Sequence, residues 1–193
     1  MTDVPLDPVS IDVSRLLQRT VTSLHSHLVT RPTGRAVRMA IEAQLQVAGS
    51  CSLSLIDLTE VAILDFSCAD EVVARLLDDA RANLAHEAFF VLRGVREPHR
   101  DQIQVVLERR GLAAVAETAP ATFEVLGACD EPERRAWGTV EEKGLVVEGD
   151  LPALLSGGEE LAALERLVER RLVFRGAGSH RVHALSRLVE RLL

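Results

Sequence analysis

The sequence predicts an α/β or α+β fold in which a mixed sheet covered by helices is followed by a smaller, mostly helical module. Three observations predict it. Between residues 13 and 129, short apolar and β-branched runs alternate with stretches whose apolar residues recur at helical spacing. After a polar interruption, "GACDEPERRAWG" at 127–138, the pattern changes to helices and a single hairpin. Charge changes at the same place. Residues 1–132 hold 12 basic and 19 acidic side chains and residues 133–193 hold 10 of each, so the whole net charge of -7 belongs to the first part. The expected organisation is a flexible N-terminus over 1–12, an α/β domain over 13–129 and a second domain over 130–193. The interruption should be exposed chain, with Pro132 in a first helical turn.

Each element has its own signal. "VSRLLQRTVTSLHSHLV", 13 to 29, reads as one or two strands, and "TGRAVRMAIEAQLQVAG" as a helix with Val37, Ile41 and Leu45 on one face and Gly49 past its end. In "LIDLTEVAILDFSCADEVVARLL", 55–77, a strand runs into a helix. Ser67 is placed to cap that helix, and Asp70 and Glu71 put negative charge in its first turn, where the dipole favours it. "AFFVLRGV" is a compact strand, "EPHRDQIQVVLERRG" a helix with Pro98 near its start, and "LAAVAE" with "TFEVLG" a closing pair of strands. Beyond them come a helix around Trp137 and Val140, a short helix with Asp150 as its cap, the helix of "GEELAALERLVERRLVFR" entering a strand, a "GAGS" turn, the strand "HRVHAL" and a last helix. Three helices and a hairpin in that order outline a winged helix.

Composition excludes several functions. No stretch approaches the roughly 20 apolar residues of a membrane span, and the acidic, Pro-containing N-terminus lacks the basic-then-apolar pattern of a secretory leader. Cys51, Cys68 and Cys129 have no paired spacing, which fits reduced thiols in the cytoplasm and argues against a disulfide framework or a cysteine-rich zinc site. Basic side chains are 21 Arg and the single Lys143, which follows Glu142, so the phosphate-binding G-x-x-x-x-G-K-[ST] loop is missing. No catalytic triad order, nucleophile elbow or spaced carboxylate pair is present. The expectation is a protein that is not an enzyme, with no cofactor and no metal.

The residues carry a family resemblance over roughly 13–127. "SLSLIDLTEVAILDFSCADEVVARLL" resembles the core of STAS and STAS-like domains, the fold of bacterial anti-anti-sigma factors. "LVTRPTGRAVRMAIEAQL" and "FSCADEVVARLL" are similar to the Arg-containing opening and the Ser, Ala-Asp-Glu segment of one STAS-like family of bacterial proteins. The resemblance implies signalling through a protein partner, a kinase-like ATPase, docked on Asp65, Phe66, Ser67, Asp70 and Glu71. In the sigma-regulating members a kinase phosphorylates a Ser directly after the Asp. Here that position is Phe66, and Ser67, one residue later, is the phosphorylation candidate, with an ordinary helix cap as its competing role.

Other candidates stand on the residues alone. Arg93, Arg96, His99 and Arg100 cluster where a strand ends and a helix begins, a place that can bind an anion through backbone N–H groups and guanidinium forks. His25 and His27 share a strand face but supply only half a zinc site, and His180 and His183 fall on opposite faces. In the winged-helix outline, Leu161, Leu164, Leu167, Val168 and Leu172 form the buried stripe of the recognition-type helix and leave Glu159, Ala163, Arg166 and Arg170 outward. Arg166, Arg170, Arg171, Arg175, His180 and Arg181 are the DNA-contact candidates. The acidic start, Glu159 and Glu160, sits where base-reading residues belong, which favours protein docking or homodimerisation over transcription control through DNA.

Overall fold

The computed structural model describes residues 6–20, 27–83, 85–155 and 157–192. The chain runs β1 (Asp7–Asp12), α1 (Val13–Thr20), β2 (His27–Leu28), α2 (Arg31–Leu45), β3 (Cys51–Asp57), β4 (Ile63–Leu64), α3 (Phe66–Ala69), a π-helical turn (Asp70–Ala74), α4 (Arg75–Ala82), β5 (Glu87–Arg93), α5 (His99–Arg109), β6 (Ala113–Ala119) and β7 (Thr122–Gly127). Five strands form one mixed sheet in the order β1-β3-β5-β6-β7, with only the β6–β7 pair antiparallel. Each parallel step moves to the next position in the same direction. Right-handed crossovers then place every connecting helix on one face, where Ile56, Phe90 and Leu92 meet Val37, Ile41, Val72, Leu76, Ile103 and Leu107.

Two expectations are corrected here. Residues 7–12, read as part of a flexible N-terminus, form the edge strand β1, in register with β3 from Asp7↔Ser52 to Asp12↔Asp57. Residues 13–20, read as strand, are helix α1, because Val13, Leu16 and Leu17 fall at helical spacing and are buried in the helix-side core. The helix α2 is capped by Thr30, whose Oγ1 accepts the Thr33 N–H at 3.3 Å. It crosses the α3 region at Gly34, where a Cβ would lie 3.1 Å from both the Cys68 Cα and the Glu71 Cβ.

The remaining chain forms α6 (Glu131–Lys143), β8 (Leu145–Val147), a 3-10 turn (Glu148–Asp150), α7 (Leu151–Leu154), α8 (Gly158–Glu169), β9 (Val173–Phe174), β10 (Arg181–Ala184) and α9 (Leu185–Leu192). Its strands pair antiparallel in the order β8-β10-β9, the winged-helix arrangement that the sequence outlines. Asp150 makes no side-chain cap. Ala163, expected to face outward, is buried with Leu164 and Leu167 against the Ala136, Trp137 and Val140 side of α6, since its spacing to Leu167 keeps it on the apolar stripe.

This module covers the face of the five-stranded sheet that the crossover helices leave bare. Leu53, Leu55, Phe89, Val91, Val115 and Val125 share one core with Trp137, Leu167, Phe174, Leu185 and Val189. The rings of Phe89 and Phe174 meet edge to face at 5.3 Å. The 127–138 stretch is correspondingly tied down and is not loose chain. Asp130 and Glu133 form a capping box, Arg134 donates to the Val125 carbonyl at 3.0 Å, and Arg170 donates to the Ala128 carbonyl.

Candidate functional site

The turn from β4 into α3 is built by Asp65. Its backbone N–H donates to the Leu28 carbonyl at 2.8 Å, and its Oδ1 accepts the Cys68 N–H at 2.8 Å. Asp65 is therefore the helix cap. Ser67 donates its hydroxyl to the same Oδ1 at 2.9 Å, so it braces the cap and does not form it. That geometry opposes a phosphoryl group at Ser67, which would replace the donated proton with charge facing a carboxylate.

Asp70 and Glu71 correct a second expectation. They do not present an open acidic surface. Glu71 is 2% exposed and faces Arg31 at 2.9 Å and Arg75 at 3.4 Å, with Arg38 at 3.6 Å. Asp70 meets Arg110 at 2.8 Å and Arg31 at 3.0 Å. Burial alone would raise the Asp70 carboxyl, but the bonds from Arg110 and Arg31 outweigh it and hold it below the ordinary aspartate value. The π-helical turn is the physical reason, since its extra residue alters the phase at which side chains leave the helix. Gly34 leaves room on α2 for the Glu71 side chain.

Beside the partly exposed Asp65 and Ser67, the turn exposes apolar side chains. Ile63, on β4, is 45% exposed, and Phe66 is half-buried beneath the Arg109 guanidinium, 4.7 Å from the ring centroid. The sequence reading missed Ile63 as well as Arg31, Arg38 and Arg110. Arg31, Arg35 and Arg38 at helical spacing were a visible signal, but their acidic partners lie about 40 positions away.

The anion candidates do not converge. Arg93 pairs with Glu117 at 2.8 Å, Arg96 donates to the Thr59 carbonyl at 3.0 Å, and Arg100 grips Glu124 through two bonds of 2.9 and 2.8 Å. His99 is buried with Nε2 3.4 Å from the Ala62 carbonyl, and burial pushes its pKa down. Each guanidinium is committed to a protein oxygen, so this reading is corrected too.

The DNA-contact candidates are likewise engaged. Arg166 donates to Glu133 at 3.1 Å and Asp130 at 2.8 Å, Arg170 to Glu133 at 2.7 Å, and Arg171 to the Ala80 carbonyl at 2.9 Å. Arg175 pairs with Glu165 and His180 with Glu148, while Arg181 lies on the outer part of β10. Glu133, 4% exposed, anchors this network. Burial would raise its carboxyl, but the Asp130 N–H, Arg170 and Arg166 together hold it below the ordinary glutamate value.

A cavity of about 230 Å³ opens between α2 and α4, lined by Glu42, Leu45, Leu76, Asp79, His86 and Ala88. Arg38 neutralises both its carboxylates, and His86 Nε2 lies 3.0 Å from the buried Ser52 hydroxyl. His27 lies in β2, and His25 falls outside the described residues. Among the described residues, no three His, Cys, Asp or Glu side chains gather as metal ligands, and no helix is long and apolar enough to cross a membrane. Burial raises the three free thiols, Cys51 to about 11, Cys68 to about 12 and Cys129 to about 11. No family model, curated relative or solved structure matches the chain.

Proposed function

We propose that this chain is a non-enzymatic signalling and regulatory protein of the cytoplasm, a STAS-like α/β unit that binds a protein partner at the β4–α3 turn. One observation carries the reading. An exposed Ile63 and the half-buried Phe66 stand on a turn whose polar groups are satisfied internally by Asp65, Ser67 and the arginines around Asp70 and Glu71. Such a surface binds through apolar anchors on a rigid support, with Ser67 and Asp65 at its rim. The STAS-like resemblance makes a kinase-like ATPase the partner class.

The test is affinity capture from nuclease-treated extract with the full chain, with Ile63→Asp, and with Met39→Asp as a control at another exposed apolar site on α2. The expected result is a partner retained by the wild type and the control and lost with Ile63→Asp. Equal retention by all three removes the proposed face.

A second reading, a DNA-binding transcription regulator, is favoured by the strand order β8-β10-β9 and by α8 in the recognition position. Against it stand the ion pairs that hold Arg166, Arg170 and Arg175, and a net charge of -7.

A further inference from the structure

We propose that the open edge of β8 pairs with the same strand of a second copy of this chain, joining two three-stranded sheets into one of six. This surface is separate from the partner-binding turn. Among the described residues β8 is an edge strand, bonded on one side only, with Val146 opposite Val182 of β10. The flanking bonds, Ala184 N–H to the Gly144 carbonyl and Glu148 N–H to the His180 carbonyl, aim the even-numbered backbone groups at β10. Antiparallel alternation then directs the N–H and C=O of Leu145 and Val147 to the open side.

The same two residues carry exposed apolar side chains, Leu145 at 41% and Val147 at 42%. An exposed, unpaired apolar edge is a template for another strand. Three features select a second copy. The edge is self-complementary: a two-fold axis at Val146 sets Leu145 opposite Val147 of the other copy, and both residues point their backbone groups into the new ladder, giving two reciprocal bonds for each such pair. Lys143 precedes the strand and Glu148 follows it, each with a local partner, Glu142 at 3.4 Å and His180 at 2.5 Å, and antiparallel pairing brings Lys143 of one copy near Glu148 of the other. Finally, residues 133–193 are charge-balanced, with 10 basic and 10 acidic side chains, so two anionic chains meet where repulsion is least.

Side chains continue the pattern. Phe174, His183 and Leu145 lie opposite one another on one face of the sheet, and Val147 of the second copy would extend that row. The contact is short, which puts it among small, reversible interfaces.

Sedimentation equilibrium of the full chain from micromolar to millimolar concentration tests the pairing. The expected result is a reversible monomer–dimer equilibrium. Val147→Pro removes an outward N–H without touching a bond to β10, and the φ of -90° at Val147 lies near the range of proline. It should weaken the dimer by roughly tenfold or more with thermal unfolding unchanged. Lys143→Glu should weaken it as well, and the exchange Lys143→Glu with Glu148→Lys should restore it. These surface changes decide the matter even if the proline variant fails to fold. A wild type that stays monomeric throughout, a dimer indifferent to Val147→Pro in the folded protein, or a charge exchange that does not rescue, overturns the proposal.

Discussion

Glu141 on α6 is the carboxylate whose surroundings run against its charge. Its Oε2 is buried with no well-formed hydrogen bond among the described residues, and burial raises its pKa more than the approach of the Ser186 hydroxyl and the charge of Arg187 lower it. A carboxyl whose folded pKa lies above its unfolded one favours folding when protonated and loses that contribution as pH rises through the folded value. At neutral pH it is therefore a burden. Glu141→Gln should raise the thermal midpoint at pH 7 and leave it nearly unchanged at pH 4, where the wild-type side chain is already largely protonated. A midpoint that falls at pH 7 would show that the charge is useful there. Asp70, Glu124, Glu133 and Glu165 have the opposite sign, with lowered pKa values, so their contribution is present above the unfolded carboxyl range and disappears on acidification.

At the scale of elements, α8 has the position of a DNA-reading helix and the chemistry of a packing helix. Arg166 and Arg170 reach back to Asp130, Glu133 and the Ala128 carbonyl, which fixes α8 to the start of α6 and to the end of the sheet. Replacing both with Ala should lower the thermal midpoint, because Glu133 is left buried without its cations. Duplex DNA affinity at physiological salt should be negligible before and after. A sub-micromolar wild-type affinity whose salt slope flattens by about two units in the double variant would make DNA control the better reading. The elements legible in the sequence were those with a strong local signal, such as Val37 and Ile41 on α2, the apolar run of β5, and Pro98 and Gly111 around α5. β1 was not, because "DPVSID" is polar and proline-bearing and becomes a strand only through its pairing with β3, some 45 positions away. The β4–α3 turn was found, but its cap was assigned to Ser67, two residues past Asp65, and its acids were left exposed. No local pattern announces a π-helical insertion or ion pairs between α2 and a distant turn.

For the whole molecule, the deciding feature is the shared core between the five-stranded sheet and the C-terminal module. Leu53, Leu55, Phe89, Val91, Val115 and Val125 lose nearly all solvent contact beneath that module. Uncovering six such side chains would forfeit roughly 10 kcal/mol, comparable to the about 5–15 kcal/mol that keeps a domain folded. A chain stopped after residue 129 should therefore bind a hydrophobic dye or precipitate, and the full chain should melt in one calorimetric transition. Two separate transitions would show that the modules are energetically independent. The strand order has a further bearing on biosynthesis. In the order β1, β3, β5, β6 and β7, each strand of the sheet lays itself beside the one before it, so on the ribosome the sheet can grow unit by unit, with its helix side closed as each crossover emerges. Its other side must wait for residues 131–192, several seconds of translation at about 5–20 residues per second. During that interval the nascent chain displays a bare apolar wall, the kind of surface that holding chaperones grip, and any ribosome that stalls or stops short of the module releases a chain marked for aggregation or proteolysis.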